Sequence, residues 1–95
     1  MKIIWTHEAL ENIIEIENYI AQNNPQNAIE FTDSLINKCE YFIDNPNMGR
    51  IVPELSESNM RELIHRNYRI VSRHIEEEIQ ILTVFEGQRL LPLDH

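Results

Sequence analysis

Apolar positions follow a helical period in the first half of the chain and a period of two in much of the second. Residues 2–6, "KIIWT", are β-branched and aromatic and predict a short strand. Thr6 then stands as an N-cap, with Glu8 in the first turn complementing the helix dipole. Ala9, Ile13, Ile16 and Ile20 recur at helical spacing, widened by Leu10 and Ile14, and predict a helix to about Gln22. The stretch "QNNPQNAIEF" breaks and restarts the helix: Asn24 caps, and Pro25 takes the first helical position, where a missing N–H leaves no bond unmade. The second stripe is Ala28, Phe31, Leu35, Cys39 and Phe42, flanked by Ile36 and Ile43. So short a connection folds the two helices into an antiparallel hairpin.

Residues 44–59, "DNPNMGRIVPELSESN", carry two prolines, a glycine and small polar residues and predict a long loop of the kind that often holds function. Beyond it "MRELIH", "YRIVSRHI" and "EIQILTVF" alternate as three consecutive strands, joined by the tight turns Arg66-Asn67 and Glu76-Glu77. The last is apolar on both sides, Ile79, Ile81 and Phe85 against Leu82 and Val84, and is expected in the sheet interior. The fold class is α+β: an N-terminal strand, an antiparallel helical hairpin and a three-stranded antiparallel meander in one twisted sheet. Trp5, Tyr19 and Cys39 are expected in its core.

At 95 residues the chain forms one domain. A single cysteine excludes an intrachain disulfide and a CxxC pair. No apolar run is long enough to cross a bilayer and no signal-peptide core forms, so the cytoplasm is the expected compartment. The net charge of −8 argues against direct DNA binding by this chain. Its sign is segregated: residues 1–49 hold eight acids against two lysines, whereas residues 50–75 hold five arginines against three glutamates.

That basic segment carries the candidate chemistry. Alternation places Arg69 and Arg73 on one side of their strand, and Arg61 joins them if the register allows. Three guanidiniums on one face need compensation, which a carboxylate-rich or phosphate-rich partner supplies. His7, His65, His74 and His95 lack metal-binding spacing, and neither a metal nor a cofactor is expected. His65 and His74 are candidate acid-base groups, because imidazole titrates near neutrality. Glu8, Glu11, Glu15 and Glu17 form an acidic face on the first helix that would suit a basic partner.

The order and spacing of "IIWTHEAL", "YIAQNNPQNAIEF", "NPNMGR" with "VPEL", "MREL", "YRIV" and "ILTVFEGQRLLP" resemble the RelE/ParE superfamily of type II toxin-antitoxin toxins, and more its ParE branch. The resemblance implies a small α+β toxin fold and a cognate antitoxin that wraps it. It carries over Arg61 in "REL", Arg69 in "YRIV" and Arg89 in "GQR" as recurring basic positions, with Arg73 a weaker addition, for contact with a target or a phosphate. ParE-like members are associated with poisoning DNA gyrase by binding. RelE-like members resemble ribosome-dependent mRNA endonucleases, and on that alternative His65, His74 and Glu86 are the acid-base candidates. The chain departs from the RNA-cleaving pattern: Glu86 stands where many relatives have a histidine, no tyrosine follows Arg89, and Ser72 replaces an aromatic residue. The expectation is therefore a ParE-like toxin that binds a protein target. A non-toxic relative that retains antitoxin binding is the third reading.

Overall fold

The structure, a computed structural model, describes residues 2–45, 48–52 and 59–87. Its elements run β1 (Lys2–Trp5), α1 (His7–Ala21), α2 (Pro25–Asp44), β2 (Arg50–Ile51), β3 (Met60–His65), β4 (Tyr68–Ile75) and β5 (Glu78–Glu86). The sheet order is β1-β5-β4-β3-β2, with β1 parallel to β5 and every other pair antiparallel. Arg89 and His95 lie outside the described residues, as does most of the segment between β2 and β3.

The caps form as their chemistry requires. Thr6 Oγ1 accepts the Ala9 N–H at 3.2 Å and donates to the Ile81 carbonyl at 2.7 Å, so one hydroxyl starts α1 and fastens it to β5. Asn24 accepts the Asn27 N–H at 3.2 Å, with Pro25 following at the first helical position. The α2 stripe Ala28, Phe31, Leu35, Cys39 and Phe42 is buried throughout. With Ala9 and Ile13 of α1, most of it packs on Leu63, Ile70, Ile79, Ile81 and Val84 of the sheet. Burial, with Glu40 nearby, pushes the Cys39 thiol up to about 12, so it stays protonated at neutral pH. A second cluster, Val52, Met60, Val71 and Phe85, lies on the other face.

Three expectations change. The predicted loop contains a strand, β2, whose two residues are too few to show alternation. In β5, Val71 pairs with Thr83 but Ser72 with Ile81, which leaves Leu82 as an extra residue. This bulge swaps the sides beyond it, so Val84 joins Ile79 and Ile81 in the core under the helices while Phe85 enters the second cluster. Tyr19 is 67% exposed rather than buried.

Gly49 brings β2 onto β3. Its φ is +84°, and a Cβ there would stand 2.3 Å from the Glu62 carbonyl oxygen. Gly49→Ala is expected to cost more than about 2 kcal/mol in urea unfolding, since it meets both a left-handed backbone and a backbone clash. A loss below about 0.5 kcal/mol would mean that the two strands approach less closely.

Candidate functional site

Register decides where the arginines go. Arg61 lies opposite Ser72, whereas Ile64 lies opposite Arg69 and Met60 opposite Arg73. Paired residues share a face, so Arg61 stands on the helix side of the sheet and Arg69 and Arg73 on the other. The expected convergence of Arg61, Arg69 and Arg73 on one surface therefore does not form. Nor is Arg69 at the surface. Its side chain is buried against Glu62, which is 1% exposed: Arg69 Nε donates to Glu62 Oε2 at 2.7 Å, and Nη2 also reaches that oxygen. Arg50 Nε takes the other oxygen, and the Arg69 guanidinium lies 5.1 Å from the Phe85 ring centre. A carboxylate withdrawn from water costs several kcal/mol unless cations and hydrogen bonds replace its hydration. Two guanidiniums supply that replacement, which is why Arg69 turns inward. Arg73 is half-buried between Met60 and Gln80 on the neighbouring strands.

Of the acid-base candidates, His74 separates from His65, whereas His65 and Glu86 come to either side of Tyr68. His74 lies opposite Ile79 and packs edge-on against Phe42, with ring centres 5.2 Å apart. His65 pairs with Tyr68, near the opposite end of β4, and Tyr68 pairs in turn with Glu86. Each histidine ring meets a serine: Ser34 Oγ is 3.0 Å from His65 Nε2, and Ser72 Oγ is 3.1 Å from His74 Nε2. Ser34 has one proton and gives it to the Phe31 carbonyl at 2.9 Å. With that proton so used, the hydroxyl is left to accept from the ring in its Nε2–H form.

A concave site forms elsewhere, between α1 and β5. Strand β1 ends at Trp5, opposite Ile81, so from Leu82 onward that edge of β5 has no neighbouring strand among the described residues. Asn12 fills part of the gap, its Oδ1 accepting both the Val84 N–H and the Thr83 hydroxyl at 2.9 Å. By alternation the same edge carries the Val84 carbonyl and the Glu86 N–H. The result is a cleft of about 390 Å³ lined by Glu8, Asn12, Glu15, Ile16 and Tyr19 of α1 and by Tyr68, Val84 and Glu86 of the sheet. Burial, then Glu86 and Tyr19, raises the Tyr68 phenol above its ordinary range. Two tyrosines among three carboxylates suit a cationic side chain on an extended peptide.

The family model described as "ParE toxin of type II toxin-antitoxin system, parDE" matches residues 3–91. The chain belongs to the ParE toxins. Among solved structures it is similar to a chain of the chromosomal ParDE toxin-antitoxin system from P. aeruginosa, with a TM-score of 0.75 and 22% identity over 93% of this chain and 97% of that one. No curated protein sequence matches it.

In this ParE toxin, sequence reasoning placed Glu8 and Glu15 on an exposed acidic face but missed Asn12, Tyr19 and Tyr68 as walls of one cleft. The available signal was Asn12, a polar residue beside the inward stripe of α1. Glu11 instead pairs with His7 at 2.8 Å, and Glu17 accepts the Thr32 hydroxyl at 2.6 Å across the hairpin. Among the described residues no group of histidine, cysteine or carboxylate side chains could hold a metal, and no helix is long and apolar enough to cross a membrane.

Both histidines of the ParE sheet are held neutral. Burial lowers each pKa, helped by Arg66 and Lys38 at His65 and by Arg61 at His74. The unfolded chain takes up these protons near the ordinary value of 6.5, so below it the unfolded state binds more protons than the folded one. Stability is therefore expected to fall as pH drops from about 7 until the folded rings titrate. The double variant His65→Gln/His74→Gln should flatten that fall in unfolding midpoints measured across the range, and an unchanged slope would contradict the assignment.

Proposed function

We propose that this toxin acts by binding a protein target, with DNA gyrase the first to test, and that a cognate antitoxin silences it by laying a basic, extended segment into the cleft between α1 and β5. The cleft is the observation that carries this reading. Its open strand edge offers backbone hydrogen bonds to an added strand, and Glu8, Glu15 and Glu86 select cationic side chains at the same place. The acidic helical half of the chain extends that complementarity, and a gyrase target would place the toxin in the cytoplasm.

Binding to a protein, rather than cleavage of RNA, is supported by the separation of the two candidate histidines and the burial of Arg69 among the described residues. His65 and His74 stand near opposite ends of β4, and Arg69 is committed to Glu62. Arg61 and Arg73 remain target contacts in this proposal, each on its own face of the sheet. Arg89 completes the set from outside the described residues.

The purified toxin is expected to inhibit supercoiling by gyrase, and stoichiometric antitoxin to relieve the inhibition. Codon-phased mRNA cuts after expression, with gyrase unaffected, would overturn the proposal. Glu8→Lys/Glu15→Lys should weaken antitoxin binding at least about tenfold, close to 1.4 kcal/mol, and should reduce its salt dependence. Unchanged affinity in calorimetry would move the antitoxin off the cleft.

A further inference from the structure

On the opposite flank of the helical layer, the seam between α2 and the β3–β4 turn gathers positive charge. Ser34 and Lys38 are one turn apart on α2, and His65 and Arg66 end β3 and open the turn. Phe31 ties the parts together: its ring centre lies 6.0 Å from that of His65 and 5.7 Å from the Arg66 guanidinium carbon. Arg66 holds a left-handed φ of 57°, and Ser34 Oγ fixes the His65 ring at 3.0 Å. We infer that Ser34, Lys38, His65 and Arg66 form a binding site for a phosphate-class oxyanion.

The chain has 16 acidic residues against eight basic ones, so lysines and arginines have carboxylates to spare. Even so, among the described residues neither Lys38 nor Arg66 makes an ion pair. Like charges kept together without a counterion repel one another, and an anion between them removes that repulsion. The groups facing His65 are Ser34 and Lys38 from α2, Arg66 from the turn and Tyr68 from β4, with Glu86 one strand further away.

His65 makes the site responsive to protons. Its Nε2 is held at Ser34 Oγ, and the ring becomes cationic when both nitrogens carry protons. Lys38 and Arg66 lower the affinity of His65 for that proton. An oxyanion seated between them offsets their field, and the ring then takes up the proton and becomes a third cation. Anion and proton therefore bind with positive coupling, and by reciprocity the anion binds more tightly as pH falls. A group carrying close to two negative charges and several acceptor oxygens fits an ammonium, a guanidinium and an imidazolium better than a single carboxylate does. Tyr68 stands between this seam and the α1/β5 cleft, and anion binding here requires neither gyrase nor antitoxin.

The test is an NMR pH titration of the intact chain in inorganic phosphate against chloride at matched ionic strength. His65 is expected to titrate higher in phosphate by at least about half a unit, roughly a threefold coupling, while His74 stays put. Lys38→Met/Arg66→Gln should raise the midpoint of His65 in chloride and abolish the phosphate response. A nucleoside monophosphate run in parallel assigns the source: equal binding means free phosphate, and tighter binding means phosphate carried on a nucleotide. Identical His65 titrations of the unmodified chain in phosphate and chloride would overturn the site, as would a phosphate response that survives in the double variant.

Discussion

A carboxylate shut away from water must find cations, and Glu62 finds two. Its position opposite Val71 in the sheet puts it on the face of Val52, Met60 and Phe85, where Arg50 and Arg69 replace its lost hydration. Much of the molecule's arrangement follows from that need. Arg69 turns inward and lies over Phe85, and Arg50 brings β2 alongside β3. Gly49 has to be glycine because that approach leaves no room for a Cβ over the Glu62 carbonyl. Breaking such a cluster by removing one member is costly, since the others are left buried and uncompensated.

The same interaction explains what the sequence could and could not convey. Both helices were legible because Thr6 and Asn24 act as caps and the stripe from Ala28 to Phe42 has only one face to bury. The three long strands were legible through their alternation, and both turn positions through the breaks between strands. Strand β2 was hidden because a tertiary ion pair, not local pattern, places it. The Leu82 bulge was hidden because an extra residue has no signature in a run that is apolar on both sides. The arginines were misgrouped for a related reason: composition shows that five occur in residues 50–75, but only register tells that Arg61 faces the helices and Arg69 faces Glu62.

With those arginines reassigned, the molecule has two separate charged flanks. One lies between α1 and the open edge of β5 and is acidic and concave, with tyrosine walls. The other lies between α2 and the β3–β4 turn and is cationic, built on Phe31. Charge segregation along the sequence thus becomes charge segregation in space, because the acidic α1 covers one side of the sheet's helix face while the turn after β3 closes the other. A chain with a net charge of −8 can in this way offer a basic partner and an anionic group distinct places to bind. Neither place depends on the single arginine surface expected from the sequence.

The central claim is that Glu62 and Arg69 are one energetic unit. A double-mutant cycle with Glu62→Gln and Arg69→Met, read by urea unfolding, tests it most directly. Each single variant is expected to lose about 2 kcal/mol or more, and the double variant to lose less than the two combined by at least about 1.5 kcal/mol. Losses that add to within about 0.5 kcal/mol would contradict it, and Arg69 would again be available for contacts outside the fold.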